Sequence, residues 1–209
     1  MMAGHRFKPE HVQKLHDPKR VQLLPQEEII RNLCIAPGDR VADLGAGSGY
    51  FTLPIAKATQ TNVYAVDIEP KMLDELKRRA AAANIHHIQS VVSDLEDIPL
   101  KDDSVDKVMA AFVLHEVGNL SNALQEMKRI LKPGGRGLVL EWEAVDTDVG
   151  PPVADRLPSA QLEQTLRRHG FDTVLTHPHE AYYVVQFTLA KGGENDALYG
   201  RHEKPDQTH

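Results

Sequence analysis

From Arg40 onward, short runs of apolar and β-branched residues alternate with longer segments whose apolar positions recur at helical spacing. "DRVADLG" (39–45) and "NVYAVD" (62–67) predict strands, each bringing an aspartate to its C-terminal part. Between them, "GYFTLPIAKATQ" (49–60) has a helical distribution, with Pro54 confined to the first turn. "EPKMLDELKRRAAAAN" (69–84) sets Pro70 at a first helical position ahead of good helix formers. "HIQSVVSD" (87–94) and "VDKVMAAFVL" (105–114) predict further strands. "NLSNALQEMKRIL" (119–131) is an amphipathic helix, with Leu120, Leu124, Met127 and Leu131 at helical spacing, and it stops at "KPGG". "RGLVLEW" (136–142) reads as a strand, and "PSAQLEQTLRRHGF" (158–171) as a helix capped by Ser159 and ended by Gly170. Two last runs, "DTVLTH" and "YYVVQFTLAK", are spaced for an antiparallel hairpin.

Strand and helix alternating in this way imply a doubly wound α/β domain, a mostly parallel sheet with helices on both faces, spanning residues 37–191. Two end segments fall outside the alternation. Residues 1–36 contain "PEHVQKL" and "LPQEEIIRNL", short helices expected to form a lid or cap over the sheet's mouth. Within them, pairing of Asp17 with Arg20 is expected to tie the lid down. Residues 192–209 are polar and punctuated by Gly and Pro, the composition of a disordered tail.

Composition narrows the function. The 209 residues carry a formal charge of −6 with scattered Lys and Arg, which argues against a nucleic-acid-binding surface. Cys34 is the only cysteine, which excludes an intramolecular disulfide and argues against a thiolate metal cluster. The pairs His86-His87 and His177-x-His179 lack the acid or cysteine partners of a metal site, so no metal is expected. The N-terminus has no apolar leader core, and no run reaches membrane-spanning length. The expectation is a cytoplasmic protein without integral membrane association. Its oligomeric state has no signature in the sequence.

The chemistry concentrates in "VADLGAGSGYF" (41–51), where ligands of such sheets bind beyond the strand ends. The dinucleotide fingerprint G-x-G-x-x-G would need a third glycine at position 50, which is Tyr50. The observed spacing is D-x-G-x-G-x-G, with Asp43, Gly45, Gly47 and Gly49. A carboxylate beside a pyrophosphate would repel it. A ligand with an ammonium and a sulfonium would welcome Asp43, while free loop N–H groups could take a carboxylate. S-adenosylmethionine has all three groups, so a nicotinamide oxidoreductase is the disfavoured reading. Asp67 ends the second strand, where a carboxylate accepts both hydroxyls of a ribose. Asp94 follows the third, where it could accept from an adenine amino group.

These segments resemble the class I S-adenosylmethionine-dependent methyltransferases. The likeness is to the bacterial small-molecule group that includes the ubiquinone/menaquinone C-methyltransferase type. "VADLGAGSGYFT", "VYAVDIEPKML", "SDLEDIPL" and "SVDKVMAAFVLHEV" look like its four motifs, and "EMKRILKPGGRGLVLEW" like the segment that closes its core. The resemblance is strong over about residues 38–142 and looser to 191. It implies a seven-stranded sheet with an antiparallel last strand. It also implies that Asp43, Gly45, Ala46 and Gly47 hold the methionine part of the cofactor and Asp67 the ribose. Ile68 and Met72 would flank adenine, Asp94 and Leu95 would meet its edge, and the backbone near Phe112 would face the amino end.

The expected activity is methyl transfer to a small-molecule acceptor, leaving S-adenosylhomocysteine, with acceptor specificity expected from residues 1–36, the loop after "FVLHE" and the segment Glu143–Pro158. The alternative is a non-catalytic sensor or scaffold subunit that binds the same cofactor. "FVLHEV" ends the fourth expected strand, which makes His115 a candidate general base and Glu116 a second candidate to take the proton. The bland alternative has His115 lining the pocket and Glu116 capping the helix that follows.

Overall fold

A computed structural model of the chain describes residues 18–189; the expected tail at 192–209, the whole of "PEHVQKL" and the Asp17–Arg20 pairing lie outside the described residues. Two short helices come first, α1 (Pro18–Leu23) and α2 (Gln26–Arg31). There follow β1 (Val41–Leu44), α3 (Thr52–Thr59), β2 (Val63–Asp67), α4 (Pro70–Ala82), β3 (Ile88–Val92) and β4 (Val105–Ala111). After a single 3₁₀ turn at Leu114–Glu116 come α5 (Leu120–Ile130), β5 (Leu131–Trp142), α6 (Ser159–Arg168), β6 (Phe171–His179) and β7 (Tyr182–Leu189).

The seven strands make one sheet in the order β3-β2-β1-β4-β5-β7-β6. All neighbours pair in parallel except β7, which runs antiparallel to both β5 and β6. This is the doubly wound fold that the alternation implied, and its strand order reverses between β1 and β4.

The period-2 alternation of each strand divides its apolar residues between two layers. Ala42 and Leu44 of β1, Val108 and Ala110 of β4 and Val139 of β5 face α5 and α6, through Leu124, Met127, Leu162 and Leu166. Val41, Met109, Leu138, Leu140 and Trp142 face the opposite layer, with Ile29 and Ile30 of α2 and Ile55 of α3. Asp43 is therefore aimed at the α3 side and Glu141 at the α5/α6 side.

Three local expectations are corrected. β4 ends at Ala111 rather than running on to Leu114: Phe112 takes a positive φ of 55° and turns the chain into the 3₁₀ turn. Ser159 is the first residue of α6 and not its cap, a position Pro158 occupies without a side-chain bond. The residue that caps α5 is Asn119, whose carboxamide accepts from the Ser121 and Asn122 N–H groups. The carboxylate that braces this cap is Glu96, which accepts the Asn119 N–H at 2.7 Å, rather than Glu116.

Candidate functional site

The loop after β1 folds back over β2. The Gly45 and Ala46 N–H groups both donate to the Val66 carbonyl, at 2.8 and 3.0 Å, and the Gly49 N–H donates to the Ala46 carbonyl. The Gly47 N–H donates to Asp67 Oδ2 at 2.7 Å. The expectation that these N–H groups stay free for a ligand carboxylate is thus overturned. A tight turn satisfies its own donors first. What the glycines supply is approach: Gly45 has φ +73°, and a Cβ there would lie 2.5 Å from Val113 Cγ2. The loop and the exit of β4 touch through that missing side chain.

Asp43 is 2% exposed and takes a 2.5 Å hydrogen bond from the Thr52 hydroxyl. Burial pushes its carboxyl up to about 7, against the pull of Thr52 and with a further push from Asp67. Asp67 accepts the Glu69 N–H at 2.9 Å as well as that of Gly47, and burial raises it too. Beyond it, Ile68 is 43% exposed while Met72 and Leu95 are buried. Asp94 is exposed and accepts the Glu96 N–H at 2.9 Å.

His115 lies on the 3₁₀ turn, with its Nδ1 2.8 Å from Glu141 Oε2. A carboxylate can only accept, so Nδ1 carries the proton, and Nε2 is the free basic nitrogen of the neutral ring. Glu141 Oε1 accepts the Leu114 and His115 N–H groups at 2.8 and 3.3 Å, fixing the turn to β5. Burial lowers the imidazole's affinity for a proton, but Glu141, Glu116 and Asp155 outweigh it and hold the His115 pKa above its ordinary value. Glu116 Oε1 stands 3.8 Å from Nε2.

All twelve residues singled out from the sequence line one cleft of about 830 Å³ at the carboxyl ends of the strands: Asp43, Gly45, Ala46, Gly47, Asp67, Ile68, Met72, Asp94, Leu95, Phe112, His115 and Glu116. Of the remaining walls, Leu23 and Asp148–Pro151 fall in two of the segments expected to set acceptor specificity, whereas Tyr50, Phe51 and Trp142 were not foreseen. Phe112 and Trp142 stack with ring centroids 4.3 Å apart. The Tyr50 hydroxyl donates to the Leu24 carbonyl at 2.8 Å, and Gln26 Nε2 donates to the Tyr50 carbonyl, so the N-terminal helices are pinned to the glycine loop. Glu141 was also missed, although a carboxylate inside the apolar run "GLVLEW" is a signal that could have found it.

Among the described residues, no three His, Cys, Asp or Glu side chains converge as metal ligands. His87 Nε2 meets the Ala56 carbonyl, and His177 Nε2 meets Glu143. No described helix is long and apolar enough to cross a membrane.

Residues 42–139 match the family described as the methyltransferase domain. The chain is 36% identical over 116 residues to the ubiquinone/menaquinone biosynthesis C-methyltransferase UbiE of Geotalea daltonii, covering 54% of this chain and 49% of that protein. It is 37% identical over 155 residues to an uncharacterised methyltransferase of Mycobacterium bovis, covering 68% of this chain and 60% of that one. The chain thus spans about half the length of the curated relatives it matches. The crystal structure of an S-adenosylmethionine-dependent methyltransferase from Aquifex aeolicus shares the fold, with a TM-score of 0.83 at 24% identity over 88% of this chain and all of that one.

Proposed function

From a chain whose core belongs to the class I S-adenosylmethionine-dependent methyltransferases, we infer transfer of the cofactor's methyl group to a small acceptor bound between His115, Trp142 and residues 148–151. The observation that carries this reading is the unequal make-up of the one cleft. Its β1/β2 end has the glycine turn and two buried carboxyls, and its β4/β5 end has an imidazole–carboxylate pair beside stacked aromatic rings.

The donor set suits the cofactor. Asp43 is a fully buried acid facing the cleft, and a ligand ammonium is the partner that would favour its ionised form. Asp67 keeps lone pairs for ribose hydroxyls after taking two N–H groups. S-adenosylmethionine supplies an electrophilic methyl group on a sulfonium. An in-line displacement would deliver that methyl to an electron pair of the acceptor, a lone pair on a heteroatom or a π pair at carbon, with the carbon–sulfur pair going to sulfur. His115 Nε2 is placed to take the acceptor's proton, with Glu141 holding the tautomer and balancing the imidazolium. Apolar walls keep water from the fading sulfonium charge. The described N-terminal residues, 18–36, act as a lid through Leu23 and the Tyr50 contacts.

The test has two arms. S-adenosylhomocysteine binds the wild type, and Asp67→Ala weakens it about tenfold or more, the loss of a charge-assisted contact worth roughly 1.5–3 kcal/mol. Acceptors are then screened, beginning with a reduced naphthoquinone because the UbiE relatives are named for quinone biosynthesis, followed by catechols, amines and thiols. Undiminished affinity in the folded Asp67→Ala variant would remove the cofactor assignment. Binding with no turnover across the screen would return the chain to the non-catalytic reading.

A further inference from the structure

The wall at the acceptor end of the cleft is built from a segment, residues 143–151, that has neither helix nor strand. Its inner side lines the cleft, and its outer side faces a smaller hollow of about 350 Å³ that also borders His179 and Glu180. A partition with space on both sides has little packing to hold its shape. Arg156, 8% exposed, supplies what packing does not. Its Nε donates to the Pro151 carbonyl at 2.8 Å and its Nη2 to that of Val149 at 2.7 Å. Its Nη1 donates to the Val145 carbonyl at 2.6 Å, the Glu143 carbonyl at 3.1 Å and the Thr147 hydroxyl at 2.8 Å. One planar guanidinium thus gathers five acceptors from alternate residues of the segment. A lysine ammonium, a single point with three donors, cannot reproduce that fork.

The clasp reaches the cleft through Trp142. Gly150, with φ +87°, lies so close over the indole that a Cβ there would sit 2.8 Å from a ring atom. Trp142 stacks in turn on Phe112, and both rings line the cleft. Arg156 itself does not line it. We infer that Arg156 is a positioning residue: it holds 149–151 against Trp142 and so shapes the acceptor half of the cleft, leaving the cofactor half on β1–β3 unaffected. The word acceptor rests on the function proposed above, so the test reads the order of the segment directly.

Trp142 is the only tryptophan in the chain, which makes its fluorescence a local reporter. In Arg156→Lys and Arg156→Gln, amide exchange over residues 144–151 should rise by at least about tenfold, as charge-assisted bonds are lost. Acrylamide quenching of Trp142 should rise with it. Exchange over 41–67 and affinity for S-adenosylhomocysteine should stay within about twofold of wild type. In Arg156→Ala, added guanidinium ion should restore part of the protection. Wild-type exchange and quenching in these variants would overturn the inference, and so would a parallel loss of S-adenosylhomocysteine affinity. If none of them folds, Thr147→Val decides: it should shift the same two readouts by less, and no shift overturns the inference. Should the wild type fail to bind S-adenosylhomocysteine, the functional reading falls while the exchange and quenching data still judge Arg156.

Discussion

Asp43 carries the sharpest electrostatic tension in the cleft. Its carboxyl moves from 3.8 to about 7 on folding, a penalty of roughly 4 kcal/mol on the ionised form. The folded apo protein holds a proton that the unfolded chain releases. This contribution to stability is therefore full below pH 3.8 and is lost as pH rises toward 7. A ligand ammonium beside Asp43 reverses the preference, so S-adenosylhomocysteine binding at about pH 6 should expel close to one proton. Calorimetry in buffers of different ionisation enthalpy measures it. Asp43→Asn should abolish that proton, and a wild-type count near zero would contradict an ammonium beside Asp43. His115 offers the second residue-level test. Its raised pKa means that turnover, if Nε2 is the base, falls as pH drops through that raised value. His115→Asn should cost at least about 100-fold in turnover with cofactor affinity nearly unchanged. Glu141→Gln removes the largest counterweight to burial, leaving Glu116 and Asp155, so the acid limb of the pH profile should move to lower pH. A limb that stays put in Glu141→Gln would remove His115 from the proton's path. The acids at the strand ends were legible because each falls at the end of a successive expected strand. Glu141 and Arg156 were not, since their partners lie 26 residues away in one case and on backbone carbonyls in the other.

At the scale of elements, the site depends on the contact between the glycine loop and the exit of β4. The left-handed Phe112 ends β4 one residue past Ala111 and swings Val113 to within van der Waals reach of Gly45. Sequence alone ran this strand on to Leu114, because "AAFVL" is continuously apolar and carries no turn residue. Gly45→Ala meets Val113 at 2.5 Å and forces a side chain onto a φ of +73°. It should lower stability by about 1–3 kcal/mol from each source and weaken S-adenosylhomocysteine binding. Adding Val113→Ala removes both Cγ atoms but leaves Val113 Cβ 2.6 Å away, so it should recover only part of the steric cost and none of the backbone cost, a coupling visible in a double-mutant cycle of thermal melts. Strict additivity of the two substitutions would contradict the close approach.

At the scale of the molecule, strand order puts the reversal point between β1 and β4 and gathers all twelve foreseen residues at one end of the sheet. Chain alternation made the sheet legible, including the hairpin that places β7 between β5 and β6. The acceptor walls were legible in part: Leu23 and residues 148–151 lie in segments expected to set specificity, Trp142 does not, and only the fold brings these three distant parts together. The central claim is that this cleft moves a methyl group as well as binding its donor. Incubation with S-adenosylmethionine labelled by a trideuterated methyl group, followed by mass spectrometry of the acceptor, tests it most directly. The account predicts labelled acceptor and stoichiometric S-adenosylhomocysteine from the wild type, with the label falling at least about 100-fold in His115→Asn. An acceptor panel that stays unlabelled while S-adenosylhomocysteine binds normally would contradict it.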